Sequence, residues 1–149
     1  MLFRSIKTFS LKSPYDTGKT QMIKRILDKT KYKRILWVSY RISLTNDIHS
    51  NFKDYGFKNY QNDNINKSDK LIIQLESLYK LDNNNFKDSE YSDVPIYDLV
   101  IIDEIESILN HFSSSTIKDS YNTYEYLQEI ITNSGKLIVF RWRFIKSDI

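Results

Sequence analysis

The chain has 149 residues, of which 40% are hydrophobic and 28% charged, a composition typical of one soluble globular domain. It contains no cysteine and only 2 histidines, which excludes a disulfide framework and a thiolate zinc site. The formal net charge of +3 is compatible with a polyanionic partner but does not require one. Apolar runs are shorter than the roughly 20 residues of a membrane span, and the first residues lack the pattern of a signal peptide. We therefore expect an intracellular protein that has no contact with a membrane.

The first half of the chain alternates apolar segments with amphipathic ones. Residues 8–12 are predicted to form a strand, and residues 19–30, whose apolar side chains recur at helical spacing, a helix. Residues 34–39 have the dense apolar character of a buried strand, and residues 43–56 again have helical periodicity. A third strand is predicted at residues 70–74. Strands that alternate with helices in this way favour a parallel sheet.

The second half continues the alternation after a long polar segment. Its clearest strand is YDLVIID at 97–103, in which four apolar residues are followed by carboxylates. The other predicted elements are helices at 76–81, 104–112 and 121–135, a loop at 82–97 and a strand at 136–140. We predict one α/β domain over residues 1–140, a parallel β-sheet flanked by helices. The basic and aromatic residues 141–149 do not continue the pattern and are interpreted as a tail.

The segment SPYDTGKT at 13–20 ends like a phosphate-binding loop, in Gly18-Lys19-Thr20. It follows a predicted strand and opens a predicted helix. In such a loop, backbone N–H groups and the helix N-terminus bind phosphate. The lysine adds a positive charge, and the hydroxyl reaches Mg²⁺. The alternative is an ordinary turn with Lys19 in solvent, and the pattern G-x-x-x-x-G-K-S/T would have glycine where this chain has Ser13.

A second motif follows the strand at 97–103, where Asp103 and Glu104 end the apolar run. At the carboxyl end of a strand, where α/β sheets bind their ligands, Asp103 would hold magnesium and Glu104 would orient and deprotonate water. The alternative is an acidic helix start, which the helix dipole favours. We expect Lys19 and the acid pair to converge from neighbouring strand ends onto one magnesium-bound triphosphate, as in a P-loop NTPase.

The order of these segments resembles the first RecA-like domain of superfamily 2 helicases. More narrowly, SPYDTGKT, VSYRISL, IIQLESL and YDLVIIDEIESIL resemble the replication origin-binding helicases of herpesviruses and large DNA viruses, over about residues 8–140. In superfamily 2 the loop commonly reads A-x-x-G-x-G-K-T, so a small residue other than glycine is usual at the place of Ser13. The loop and the acid pair are general to nucleoside-triphosphate hydrolases, whereas the other two segments narrow the family.

The resemblance implies roles for single residues. Lys19 and Glu104 are implied in catalysis, and Thr20 and Asp103 in binding the metal. The residues implied in binding ATP are Ser13, Asp16, Thr17, Gly18, Lys19 and Thr20. Those implied in contacting a nucleic-acid strand are Arg41, Gln74 and Ser77, although Arg41 could also be a surface cation at a strand end. The implied ligands are ATP, Mg²⁺ and single-stranded DNA.

Asp16 departs from the family, which has glycine at this position. Glycine is used where φ is positive or where the backbone approaches a ligand closely, and aspartate tolerates positive φ better than most residues. Its charge is the larger concern, since a carboxylate about 6 Å from one phosphate charge costs roughly 3 kcal/mol at an effective dielectric constant of about 20. We therefore expect weakened nucleotide binding unless the carboxylate points elsewhere.

A superfamily 2 motor has two RecA-like domains, and the second supplies arginines to the transferring phosphoryl group. Where the family continues into an acidic stretch, this chain has Arg141-Trp142-Arg143-Phe144. We expect a truncated or frame-interrupted reading frame, or half of a split protein whose second helicase domain is a separate chain. Hydrolysis by this chain alone is then expected to be weak, without unwinding.

The preferred hypothesis is the ATP-binding domain of a DNA helicase or translocase of the replication origin-binding type. One alternative is a non-catalytic remnant that binds nucleotide or DNA. Another is a small P-loop kinase, which is less favoured because an Asp-Glu pair at a strand end suits attack by water. His49 and His111 lie in predicted helices and are expected to be packed or solvated rather than catalytic.

Overall fold

The computed structural model describes residues 7–13, 16–40, 42–61, 68–82, 93–114 and 118–142. The strands are β1 (Lys7–Ser13), β2 (Ile35–Ser39), β3 (Lys58–Asn59), β4 (Lys70–Gln74), β5 (Leu99–Ile102) and β6 (Lys136–Trp142). The α-helices are α1 (Asp16–Lys29), α2 (Ile42–Phe52), α3 (Ile105–Ser114) and α4 (Lys118–Asn133). Two 3-10 helices, Lys53–Tyr55 and Leu75–Leu81, complete the described elements.

The strands form one six-stranded sheet in the order β1-β6-β5-β2-β4-β3, and every pairing is parallel. The predicted α/β class, with helices on a parallel sheet in one domain, is confirmed. The sequence prediction did not include β3, because its two residues, Lys58 and Asn59, are too few to give an apolar pattern.

The central strands are buried on both faces, as parallel sheets covered by helices require. All residues of β2 and β5 are buried. Alternate side chains of each strand face opposite sides of the sheet. On one side, Trp37 packs with Ile23 of α1 and Phe52 of α2. On the other side, Ile102 belongs to a cluster that includes Tyr126 of α4.

Most observed bounds differ from the predicted ones by a few residues, and three of these differences change the description of an element. Helix α1 begins at Asp16, three residues before the predicted start at Lys19. The predicted helix at 76–81 is a 3-10 helix that begins at Leu75. Strand β6 extends to Trp142, because residues beyond 140 continue to pair with β1 up to Ser13. No helix among the residues described is long and apolar enough to cross a membrane.

The strand register aligns the ends at which a ligand site is expected. Ile102 of β5 is level with Val38 of β2 and Val139 of β6, and Val139 is level with Ser10 of β1. The segments that follow β1, β2, β4 and β5 therefore leave the sheet at one side, here called the carboxyl edge. The opposite side, here called the amino edge, is tightly packed near α4, where a Cβ atom on Gly135 would lie 2.9 Å from the carbonyl oxygen of Asp98.

Candidate nucleotide and nucleic-acid site

The phosphate-loop segment has the strand, loop and helix order that its pattern requires. Strand β1 ends at Ser13, and α1 begins at Asp16, so Gly18 and Lys19 lie in the first turn of a 14-residue helix. Thr20 follows them and is half-buried. The first turn of an α-helix has backbone N–H groups without partners in the helix, which suits the binding of phosphate.

The early start of α1 determines the backbone conformation of Asp16. Because Asp16 is the first helical residue, its backbone lies in the right-handed helical region, where φ is negative. A residue in that region does not need the conformational freedom of glycine. The conformational objection to aspartate at this position therefore falls away, whereas the electrostatic one is unaffected.

The acid pair lies at the carboxyl end of β5, directly before α3 begins at Ile105. Asp103 is only 1% exposed. Its backbone N–H donates a hydrogen bond of 3.0 Å to the carbonyl of Val38, so the chain remains attached to β2 for one residue beyond the strand. The carboxylate of Asp103 is thereby held at the carboxyl edge of the sheet.

Glu104 has an unusual backbone and side chain. Its φ is +52°, in the left-handed region, which is uncommon for residues other than glycine. Its carbonyl accepts a hydrogen bond of 3.2 Å from the N–H of Ile108, which closes the first turn of α3. Its carboxylate oxygen Oε2 is buried and has no hydrogen-bond partner in the protein. Backbone strain and a buried polar atom without a partner are both costly, and both are concentrated at functional sites.

Lys19 and the acid pair do not follow neighbouring strands, so this part of the expectation was wrong, whereas their convergence on one triphosphate stays a prediction. Strand β6 lies between β1 and β5. Since adjacent strands are about 4.8 Å apart, the ends of β1 and β5 are separated by roughly 10 Å. The two motifs nevertheless share the carboxyl edge, on either side of the end of β6. The sequence places each motif at a strand end but does not specify the order of the strands in the sheet.

Potential metal ligands are not clustered among the residues that the structure describes. No group of three or more His, Cys, Asp or Glu side chains that could hold a metal occurs in the part of the chain that the structure describes. Mg²⁺ binds through one or two protein oxygens while phosphates and water complete its octahedron. Thr20 and Asp103 would suit that mode, because both belong to the carboxyl edge.

Two of the three residues predicted to contact nucleic acid, Gln74 and Ser77, lie at the end of β4 or just after it. Arg41 lies outside the described residues, between Tyr40 and the start of α2 at Ile42. Ser77 is half-buried in the 3-10 helix Leu75–Leu81. Gln74 is the last residue of β4 and is half-buried.

Gln74 makes contacts that the sequence did not indicate. Its amide nitrogen donates to the carbonyl of Tyr40 at 3.3 Å. Its amide oxygen accepts a hydrogen bond of 2.9 Å from the hydroxyl of Tyr60. Gln74 therefore joins the segment next to Arg41 to the residue that follows β3. Only the SYR segment pointed to Tyr40, and no signal pointed to Tyr60, because β3 was not predicted.

The start of α2 is fixed to the same edge. The side-chain hydroxyls of Ser39 and Thr45 are hydrogen-bonded, and both residues are fully buried. The ring of Tyr40 lies edge-on to His111 of α3, with centroids 5.9 Å apart. His111 thus makes an aromatic packing contact, in agreement with its predicted role.

Comparison with known proteins supplies the family. The family model described as "Origin of replication binding protein" matches residues 7–141. The chain is 45% identical over 144 residues to "Putative replication origin-binding protein" of Acanthamoeba polyphaga mimivirus, covering 90% of this chain and 18% of that protein. It is 40% identical over 139 residues to "Uncharacterized putative helicase R8" of the same virus, covering 89% of this chain and 13% of that protein.

A solved structure has the same fold. The UvsW helicase from bacteriophage T4 superposes with a TM-score of 0.57 at 12% identity, over 91% of this chain and 46% of that chain. At this identity the likeness establishes the fold alone. The chain spans less than a fifth of the length of the two mimivirus relatives.

Proposed function

Because the chain belongs to the family of origin of replication binding proteins, we propose that it is the ATP-binding motor domain of a DNA helicase or translocase. The observation that carries this proposal is the backbone conformation of Glu104 together with its buried carboxylate oxygen. A strained backbone holds its carboxylate at the carboxyl edge, and one buried oxygen has no protein partner. A hydrogen-bonding group brought by a ligand or by a water molecule would satisfy that oxygen.

The proposed roles follow from where each residue lies. The N–H groups of Thr17 and Gly18 lie in the first turn of α1 and would bind phosphate oxygens, and Lys19 would add a positive charge. Ser13, the last residue of β1, is proposed to contact ATP from beside the loop. Magnesium, when bound, would neutralise charge that develops on the phosphates.

On the other side of the end of β6, the acid pair would complete the site. Asp103 would hold the metal together with the hydroxyl of Thr20. Glu104 would accept a hydrogen bond from the attacking water, orient it and take up its proton. Because its left-handed backbone restricts the direction in which the side chain leaves the main chain, the proposed base would be positioned before a ligand arrives.

Single-stranded DNA is proposed to bind along the same edge, through Arg41 and Ser77. Gln74 is proposed to act in two ways, since its amide is already hydrogen-bonded to Tyr40 and Tyr60. It would hold the segment that carries Arg41, and its remaining N–H would be available to the strand.

A second helicase domain on a separate chain is the proposed partner. An arginine supplied by such a domain raises phosphoryl-transfer rates by about 10³–10⁵ where it has been measured. Without it, hydrolysis by this chain is expected to be slow, and nucleotide binding becomes the more reliable measurement.

The test measures ATP–Mg²⁺ binding and hydrolysis, with and without single-stranded DNA, in variants of the two motifs. Lys19→Ala is expected to lose binding, whereas Glu104→Gln should bind ATP and fail to hydrolyse it. Lys29→Ala is the control, because Lys29 is exposed in the last turn of α1.

Each alternative gives a different result. Binding without hydrolysis in the unaltered chain, even with DNA present, favours a non-catalytic nucleotide-binding module. Transfer of the γ-phosphate to a sugar or nucleoside favours a kinase. Equal ATP affinity in Lys19→Ala and the unaltered chain contradicts the proposed function.

A further inference from the structure

A basic pocket lies at the amino edge, on the far side of the sheet from the proposed nucleotide site. Its volume is about 480 Å³. The residues that define it here are Tyr32, Lys33, Tyr55, Lys58, Asp69 and Lys70. Lys58 and Lys70 are the first residues of β3 and β4, and Lys33 precedes β2. Three neighbouring strand starts therefore direct positive charge to one place, here called the amino-edge pocket.

The charges of the pocket do not cancel. Three lysines, Lys33, Lys58 and Lys70, line it together with one carboxylate, that of Asp69. That carboxylate also faces Arg34, whose Nε is 3.7 Å from it. The pocket thus keeps an excess of positive charge, and like charges gathered at one site favour an anionic ligand.

One of the three lysines is held by a hydrogen bond, whereas the other two are exposed. The Nζ of Lys70 donates a hydrogen bond of 3.0 Å to the carbonyl of Tyr55, which fixes this ammonium group as part of the wall. Lys33 and Lys58 are exposed. One cation is therefore positioned in advance, and the other two remain free to follow the shape of a ligand.

The size and aromatic lining indicate the kind of anion. A volume near 480 Å³ falls within the range of about 300–1,000 Å³ typical of ligand pockets, which is more than a simple phosphate ion needs. Tyr32 and Tyr55 are half-buried at the wall. Lysines combined with aromatic side chains are characteristic of surfaces that bind single-stranded nucleic acid, where phosphates meet cations and bases meet rings.

We propose that the amino-edge pocket binds the phosphate backbone of a nucleic-acid strand, as a second contact distinct from the carboxyl edge. The two edges are separated by the length of the central strands, about 16 Å for the five residues of β2. A strand could therefore occupy the pocket without displacing ATP. The proposal does not depend on nucleotide hydrolysis, and it can be tested without ATP or magnesium.

The first experiment uses the salt dependence of affinity for a single-stranded oligothymidylate. Each phosphate contact on a single strand contributes about 0.7 to the slope of log K against log salt concentration. Lys33→Gln combined with Lys58→Gln is expected to reduce the slope by about 1.4 between roughly 50 and 200 mM NaCl. Arg25→Gln combined with Lys29→Gln is the control, because both residues are exposed on α1 and lie outside the pocket.

A smaller slope in the pocket variant and an unchanged slope in the control support the proposal. An unchanged slope in the pocket variant, or an equal reduction in both variants, overturns it. Circular dichroism of both variants should match the unaltered chain, because the substituted side chains are exposed.

The second experiment locates the strand directly and does not require a variant. Photocrosslinking of an oligonucleotide that carries 5-iododeoxyuridine is expected to label the peptides that contain Tyr32 or Tyr55. Crosslinks confined to the carboxyl edge overturn the proposal. A titration with inorganic phosphate, followed by the NMR chemical shifts of the backbone amides of Gly56 and Lys70, is the third measurement. A site for free anions would give the same shifts with phosphate as with oligonucleotide. Equal shifts at equal phosphate concentration also overturn the nucleic-acid assignment.

Discussion

The hydroxyl of Tyr60 donates a hydrogen bond of 2.9 Å to the side-chain oxygen of Gln74, and the amide of Gln74 donates in turn to the carbonyl of Tyr40. This relationship connects the end of β4 to the segments that follow β2 and β3. Tyr60 is only 8% exposed, so its hydroxyl is largely removed from water. The connection would allow Gln74 to position the segment that ends at Tyr40, in addition to its proposed contact with nucleic acid.

Tyr60→Phe is expected to lower the free energy of unfolding by about 1 kcal/mol, because it removes one hydrogen bond and leaves the Gln74 oxygen without its donor. Urea titration measures the change. Tyr124→Phe is the control, since the ring contact between Tyr124 and Phe112, with centroids 5.0 Å apart, survives the substitution. Affinity for single-stranded DNA should fall severalfold in Tyr60→Phe, while affinity for ATP is unchanged. An unchanged DNA affinity would remove the positioning role.

The left-handed backbone of Glu104 should make glycine more stable than alanine at this position. In the left-handed conformation a residue other than glycine is strained by about 1–2 kcal/mol, and glycine is not. Glycine loses roughly 0.5–1 kcal/mol through the entropy of the unfolded chain. We therefore expect Glu104→Gly to be more stable than Glu104→Ala by about 1 kcal/mol, with hydrolysis lost in both.

The comparison of these two variants isolates the backbone, because both remove the same carboxylate. Without strain, the entropy cost of glycine would make Glu104→Gly the less stable variant, so a lower unfolding midpoint in urea for Glu104→Gly would show that φ at this position carries no strain. Hydrolysis at the original rate in either variant would exclude Glu104 as the base.

Replacing Asp16 should strengthen ATP binding. A carboxylate about 6 Å from a phosphate charge costs roughly 3 kcal/mol at an effective dielectric constant of about 20, so removing it is expected to increase affinity by up to about a hundredfold. Because Asp16 begins α1 in helical conformation, Asp16→Asn and Asp16→Gly should give similar gains. Fluorescent-nucleotide titration measures both. A gain only in the glycine variant would mean that backbone freedom, and not charge, limits binding.

Tyr97 should make stability fall at alkaline pH. Burial raises the pKa of Tyr97 to about 12, and the nearby Arg34 guanidinium, 4.9 Å from the ring centroid, opposes part of that rise. In the unfolded chain a tyrosine loses its proton near pH 10. Its contribution to stability is therefore complete below pH 10 and is lost as the pH rises toward 12, at up to about 1.4 kcal/mol per pH unit.

Urea unfolding of the unaltered chain and of Tyr97→Phe between pH 9 and 11.5 tests this expectation. The variant lacks the ionisable group, so its stability should decline less steeply above pH 10. Parallel curves for the two proteins would show that Tyr97 ionises as readily in the folded state as in the unfolded one.

The sequence alone determined the elements other than β3 and the edge of the sheet at which the candidate site lies. Runs such as ILWVS and LVII are continuous and apolar because both faces of a central parallel strand are covered. The Asp-Glu motif follows LVII directly, the Gly-Lys-Thr motif lies in the first turn of the helix after β1, and the carboxyl ends of parallel strands share one edge. Local chemistry therefore predicted the α/β fold and brought the two motifs to the same side.

Only the tertiary structure decided how far apart the motifs are and what state their side chains adopt. Strand β6, the last strand among the described residues, inserts between β1 and β5, and strand order depends on the packing of whole helices rather than on local periodicity. The left-handed backbone of Glu104 results from joining β5 to α3 while both pack against the core. The contacts of Gln74 with Tyr40 and Tyr60 join residues that are distant in the sequence, and no short-range pattern encodes such contacts.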